Sequence, residues 1–314
     1  MAMKKTLVIY TSKYGSTEDA ARMMGLVLGP SQVVRADAFT EEHRDYDFVV
    51  LVTPVYAGKL YMEPFMEKNE AWLAGKPLAL VCVALDEKDG LRVVNGWKQR
   101  LGETVQITAW VGGRLDLDSV DQDDRTSLES FARMTGYQLQ NRDVYDPEKI
   151  IALALQIKEI RDRSQMEMPE TEIRQAVEEF LQSHNTCALC TSRPGYVRST
   201  PIEYFYKDNC LYMFSEGGEK FANLLLNPRV SVSVYDSYEG FDKLGGLQLT
   251  GEAVLIEEDH PDYEPILLFR GFSAEKFSRL SVQMNIIRIR IEKAEFLWSG
   301  FLKHGYEVRQ VCSF

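Results

Sequence analysis

The residues best suited to chemistry are Thr11-Ser12-Lys13-Tyr14-Gly15-Ser16-Thr17, directly behind the apolar run Thr6-Leu7-Val8-Ile9-Tyr10. Five of these seven positions carry a hydroxyl. The apolar run reads as a buried strand, and Glu18-Asp19-Ala20-Ala21-Arg22-Met23-Met24 behind the loop starts a helix. Hydroxyls and free backbone N–H groups at a helix N-terminus make an anion site, which the helix dipole reinforces. No lysine follows a glycine pair, which argues against a nucleoside-triphosphate loop. The set suits the phosphate of flavin mononucleotide (FMN). Thr11, Ser12, Ser16 and Thr17 would donate to it, with backbone amides from 13 to 17, while Gly15 permits the turn. Lys13 is expected to point to solvent. The plainer alternative is a polar loop with a helix cap.

Further apolar runs at 32–36, 46–52, 77–83 and 105–111 alternate with helical patterns. Continuous rather than alternating apolar character means strands buried on both faces, hence a parallel sheet between helices. Ligands of such open sheets bind outside the carboxyl ends of the strands. Thr53-Pro54-Val55-Tyr56-Ala57-Gly58 ends the third run. Tyr56 offers a flat face to a flavin ring, and Ala57 and Gly58 offer amides near its reactive edge. Gly112-Gly113-Arg114 would close the same pocket, and Ala84-Leu85-Asp86 would line it. Arg114 either stabilises a reduced anionic flavin or pairs with neighbouring aspartates. Asp146-Pro147-Glu148 opens a last helix through Ile150, Leu153, Ala154, Ile157 and Ile160. The polar stretch 161–170 then reads as a linker, dividing the chain into domains at 1–164 and 165–314.

The second half changes character. One amphipathic helix carries Ile173, Ala176, Val177, Phe180 and Leu181. Strand-like runs follow at 186–191, 200–206, 210–214, 230–235, 247–256 and 285–298, with a helix at 218–226. Closely spaced strands indicate an antiparallel barrel or sandwich. Arg198 and Lys220 are cations suited to a phosphate, with Ser199 and Ser215 as hydroxyl donors. Lys220 falls in a helix first turn, where its ammonium and the amides could converge on one anion. Cys187-Ala188-Leu189-Cys190 lacks the second half of a metal site and reads as strand cysteines. His43, His184, His260 and His304 show no metal spacing, and Trp298 and Tyr306 read as packing aromatics.

The 314-residue chain suits two ordinary domains. A net charge of −11, shared by both halves, disfavours nucleic acid and anionic membrane as partners. No run approaches the length of a membrane span, and the N-terminus leads straight into a strand, so no signal peptide is expected. Five cysteines, an odd number, point to a reducing, cytoplasmic setting.

The phosphate-loop residues, Tyr46-Asp47, Val55-Tyr56-Ala57-Gly58-Lys59-Leu60 and Gly112-Gly113-Arg114-Leu115-Asp116 resemble the flavodoxin superfamily over about 4–163. Within it, the menaquinone-dependent protoporphyrinogen dehydrogenase branch is the most similar. That branch carries a membrane-associating insertion near the fifth strand. Here 116–136 opens on Asp116, Asp118, Asp121, Asp123 and Asp124 instead. Residues of about 170–300 resemble the pyridoxamine 5'-phosphate oxidase-like split barrels. The carrying pieces are Arg198-Ser199-Thr200-Pro201-Ile202-Glu203-Tyr204, Leu211-Tyr212-Met213-Phe214-Ser215, the run from Lys220 to Asn227-Pro228-Arg229, and Leu249-Thr250-Gly251-Glu252. The resemblance implies an α/β + β chain: a flavodoxin-like doubly wound five-stranded parallel sheet followed by an antiparallel split β-barrel. It also implies FMN in both halves, Thr200 and Phe214 joining the second site, and a homodimer through the split barrel. The resulting expectation is an FMN-dependent oxidoreductase or electron-transfer flavoprotein. Nicotinamide, quinone or a small redox protein would serve as donor or acceptor. No GxGxxG follows a strand, so a dedicated nicotinamide domain is not expected. The alternatives are a non-catalytic FMN- or haem-binding sensor or carrier, and a protoporphyrinogen oxidase-type enzyme.

Overall fold

The computed structural model describes residues 5–56, 58–136, 138–163, 168–273, 275, 277 and 279–314. The chain divides into two compact units, Met1–Gln165 and Met166–Phe314.

In the first unit five strands run β1 (Thr6–Tyr10), β2 (Ser31–Arg35), β3 (Phe48–Tyr56), β4 (Leu78–Ala84) and β5 (Val105–Gly112). They pair in parallel in the order β2-β1-β3-β4-β5. This is the flavodoxin-like order, with its switch point between β1 and β3. Alternate strand residues serve opposite faces. Val8, Tyr10, Val50 and Val52 pack under α1 (Ser16–Val27) with Ala20, Ala21 and Met24. Leu7, Ile9, Val49 and Leu51 pack on the other face with Val94, Trp97 and Leu101 of α2 (Glu87–Leu101). Helices on both faces explain why the strands carry no polar alternation. Two longer helices follow later in the chain, α3 (Gln122–Thr135) and α4 (Pro147–Arg163), and two short ones span Glu63–Lys68 and Glu70–Leu73.

The expected linker at 161–170 needs correction. Helix α4 continues through Arg163, and Arg161 is only 2% exposed. Its guanidinium donates to Thr6 Oγ1 at 2.8 Å and to the Leu28 carbonyl, and pairs with Asp162. A charged residue near a helix end looked like linker chemistry, but its function is to tie α4 to β1. Residues 164–167 of that stretch lie outside the described residues.

The second unit opens with α5 (Glu170–Ser183), which buries Ile173, Val177, Phe180 and Leu181. Its strands are β6 (Thr186–Arg193), β7 (Tyr196–Glu203), β8 (Phe205–Lys207), β9 (Cys210–Ser215), β10 (Arg229–Tyr235), β11 (Gly245–Ile256), β12 (Asn285–Trp298) and β13 (Arg309–Ser313). They form one antiparallel sheet in the order β7-β6-β10-β11-β12-β9-β8, with β13 on β12. This curled sheet is the split barrel. Helix α6 (Glu219–Leu226) lies between β9 and β10, and α7 (Tyr263–Arg270) between β11 and β12. The single run expected at 200–206 is two strands. Buried Tyr204 separates them, its N–H held by the Asn185 carbonyl at 2.8 Å, so β7 pairs with β6 and β8 with β9. Strand β13 and helix α7 carry no strong sequence signal.

Candidate functional site

Strand β1 delivers the chain to residues 11–15, where Gly15 turns it into α1 at φ +93°. A Cβ at Gly15 would meet nothing within 4 Å, so the backbone conformation, not crowding, calls for glycine. Ser12 Oγ accepts the Gly15 N–H at 3.0 Å and closes the loop. No side chain caps α1. Thr17, in its first turn, is 1% exposed. Thr11 Oγ1 is buried and has no hydrogen-bond partner among the described residues. A buried hydroxyl without a partner costs roughly 1–3 kcal/mol. An uncapped helix start beside an unpartnered hydroxyl fits a phosphate.

Tyr56, the aromatic face expected for a ring, stands next to this loop. The Tyr56 ring packs edge-on against Tyr14 at 6.2 Å and against Tyr61 at 5.3 Å. Burial pushes the Tyr56 phenol up to about 12, so the ring is neutral at physiological pH. Pro54, Val55 and Tyr56 are part of β3 itself, which folds into a short hairpin: Val55 pairs with Leu60 and Tyr56 with Lys59. Gly58 turns the hairpin at φ +75°. Ala57 lies outside the described residues.

Lys13 does not point free into solvent. Its ammonium meets Asp121 Oδ2 at 2.6 Å and Asp124 Oδ2 at 2.7 Å, which raises its pKa. Tyr14 donates its hydroxyl to the same Asp124 oxygen. Asp121 also caps α3 by accepting the Asp124 N–H at 2.9 Å. These two aspartates were not read as site residues. An acid at the cap and another three residues later was the available signal. What they touch lies more than a hundred residues earlier.

The glycine pair turns inward. A Cβ at Gly112 would sit 1.6 Å from the Val144 carbonyl oxygen, so that close approach requires glycine. Gly113 donates to Ala84 O at 3.1 Å and accepts from Val144 N–H at 3.1 Å. Gly113's own amide is therefore committed within the domain. Arg114 pairs with Asp19 at 3.2 Å and Asp143 at 3.6 Å, and stacks over Tyr145 at 3.8 Å. The expected pairing with neighbouring aspartates is replaced by pairing with two that are distant in sequence. Asp86 caps α2 by accepting the Asp89 N–H, with Ala84 and Leu85 partly exposed beside it.

In the second unit the pieces gather around the start of α6. Arg198 and Thr200 share one face of β7, and Ser199 lies on the other and is exposed. Arg198 pairs with Glu219, which also accepts the Tyr196 hydroxyl at 2.8 Å. Asn223 of α6 donates to Thr191 Oγ1 at 2.9 Å, and Thr191 is the cross-strand partner of Arg198. Thr200 Oγ1 and Asn223 Oδ1 are both buried and have no hydrogen-bond partner among the described residues. Ser215 Oγ accepts the Gly217 N–H, and Lys220 donates to the Gly217 carbonyl at 2.6 Å. Burial, with help from Arg198, lowers the Lys220 pKa. Phe214 packs among Phe205, Phe272 and Phe277.

The remaining titratable and aromatic residues are accounted for locally. All five cysteines are free. His43 joins the cap at Thr40, His184 bonds Asp236 at 3.0 Å, and His260 accepts the Asp262 N–H at 3.1 Å. His304 ends a short 3-10 helix. Trp298 stacks on Phe296 at 5.6 Å, and Tyr306 packs against the same core. Among the described residues no cluster of three or more ligating side chains could hold a metal ion. No described helix is long and apolar enough to cross a membrane.

Comparison with known proteins bears on both units. Residues 7–141 match the flavodoxin domain family and residues 173–298 the pyridoxamine 5'-phosphate oxidase family. No curated protein matches the chain. Among solved structures, the chain is similar to an FAD-binding protein from Mesorhizobium loti (25% identity, 37% of this chain and 87% of that one, TM-score 0.30). It is similar to the heme storage protein HutZ from Vibrio cholerae (19% identity, 38% and 89%, TM-score 0.32). It is also similar to a flavodoxin from the domain Archaea (16% identity, 50% and 98%, TM-score 0.34). The chain thus joins a flavodoxin domain to a pyridoxamine 5'-phosphate oxidase-like domain.

Proposed function

We propose that the protein is an FMN-dependent oxidoreductase or electron-transfer flavoprotein of the cytoplasm. The observation that carries this reading is the buried, unpartnered Thr11 hydroxyl beside the uncapped start of α1. Thr11, Ser12, Ser16 and Thr17, with amides of 13–17, would hold the phosphate. Tyr56 would flank the ring, with Ala57, Gly58, Ala84 and Leu85 at its margin and Gly112-Gly113-Arg114 fixing the loop behind it. Bound flavin supplies one- and two-electron transfer, and the protein supplies binding and electrostatics.

A second FMN at the start of α6 is part of the proposal. Unpartnered Thr200 Oγ1 and Asn223 Oδ1 support it, as do Arg198, Ser215 and Lys220 around them. Val197, Leu225 and Leu226, on the elements that carry this site, expose large apolar side chains. That supports a homodimer through the split barrel. Donor and acceptor are a nicotinamide, a quinone or a small redox protein, and protoporphyrinogen-type oxidation is the alternative for the first domain.

The test is the visible spectrum and FMN content of the purified protein, then anaerobic titration with nicotinamide donors and quinones. Flavin absorbance with donor-dependent bleaching is expected. Protein that binds no added FMN contradicts the reading. Flavin that no donor reduces leaves a carrier instead of an enzyme.

A further inference from the structure

We propose that α3 is a strap, latched across the phosphate loop by a clasp of Lys13, Tyr14, Asp121 and Asp124, whose release gates entry and escape of the mononucleotide. The inference rests on reading residues 11–17 as the phosphate site. Helix α3 has 14 residues, and none of those described is buried; Met134 is 87% exposed. A helix of that length is marginal by itself, and one whose described residues are at most half-buried opens at low free energy. Its N-terminal end is tied down at the loop. Lys13 Nζ reaches Asp121 and Asp124 at 2.6 and 2.7 Å, and Tyr14 donates to Asp124.

The geometry makes the clasp part of the site's doorway. Lys13 and Tyr14 sit between Ser12 and Gly15, whose mutual hydrogen bond shapes the loop. Tyr14 in turn packs on Tyr56, the ring wall. The strap's N-terminus therefore stands where the phosphate loop meets the ring wall. Two carboxylates against one ammonium leave the cluster negative, facing the path of an incoming dianion. Exposed ion pairs are individually weak and screened by salt, so this latch can open and close readily.

The experiment follows FMN binding to the full chain by stopped-flow fluorescence, for wild type, Asp121→Asn with Asp124→Asn, and Asp123→Asn. Asparagine caps a helix as well as aspartate does, so α3 keeps its cap. Asp123 lies outside the clasp and controls for the loss of one nearby charge without the clasp. In the double variant, association and dissociation should both accelerate, each by about tenfold, with affinity changed by less than about threefold. Amides of 122–135 should exchange hydrogen faster without FMN, and Asp123→Asn should keep wild-type rates. Faster association with slower dissociation would mean the carboxylates only repel the phosphate, and would overturn the gate. Faster dissociation alone, or unaltered rates, would overturn it too. Wild-type protein that fails to bind FMN overturns the phosphate-site reading and the gate with it, whereas binding at unaltered rates overturns the gate alone.

Discussion

Thr11 shows how one side chain can separate binding from stability. Its hydroxyl is buried without a partner, so Thr11→Val removes an unsatisfied group and fills the same volume. The variant without flavin should be as stable as wild type or more so, by up to about 1 kcal/mol. FMN affinity should fall roughly tenfold, because one donor to the phosphate is gone. Thermal melts and an FMN titration check the pair of outcomes; a loss of stability without a loss of affinity would make Thr11 purely structural. Asp121 gives the pH counterpart. The Asp124 N–H and then Lys13 hold its carboxyl below the usual range. A carboxylate lowered in the folded state contributes above its unfolded value, about 3.9, and the contribution is lost as pH falls through the lowered one. The Asp121–Lys13 pair should therefore persist from neutral pH to below about 4. A carbon-13 titration of Asp121 with its midpoint at or above that value would contradict this. The strand, turn and helix around residues 11–17 were legible because their parts are contiguous: apolar run, hydroxyls, glycine, helix. The partners of Lys13 and Arg114 were not, because ion pairs across the fold leave no local pattern.

Two contacts between elements decide whether the sheet presents its carboxyl edge correctly. Arg161 ties the end of α4 to Thr6 and Leu28 from a buried position. Arg161→Met leaves those acceptors unpaired and should cost about 3 kcal/mol in chemical denaturation. A loss under about 0.5 kcal/mol would place Arg161 among ordinary surface residues. At Gly112 an added Cβ collides with backbone, so Gly112→Ala should destabilise by about 1–3 kcal/mol and weaken FMN binding only indirectly. Wild-type stability in that variant would mean that the segment at Val144 can move aside. The apolar runs made the parallel strands and most barrel strands readable. What failed were joints: the Tyr204 break between β7 and β8, and α4's continuation through a charged, buried residue. Charge on Arg161 signals exposure unless its partners are known, and they come from β1 and the chain after α1.

At the scale of the molecule, two families meet in one chain, and the proposal gives each an anion site at a helix start. The proposal of two flavins predicts two FMN per chain at saturation. Lys220→Ala should reduce this to one while leaving the first site loaded. Burial lowers the Lys220 pKa, so its charge is lost at a lower pH than for an ordinary lysine. Second-site occupancy should accordingly fall first as pH rises into the alkaline range. A stoichiometry that Lys220→Ala does not alter would remove the second site and leave a one-flavin protein. Domain content was legible from motif order, whereas cofactor number was not, because Arg198 and Lys220 already find internal partners in Glu219 and Gly217.

The central claim is that residues 11–17 hold a flavin through its phosphate. Its most direct measurement is a side-by-side titration of the protein with FMN and riboflavin, which differ only in that phosphate, repeated on Thr11→Val with Thr17→Val. The account predicts at least about a hundredfold preference for FMN at the first site, collapsing toward parity in the double variant. Riboflavin bound as tightly as FMN by the wild-type chain, or a preference untouched by the two substitutions, would contradict it.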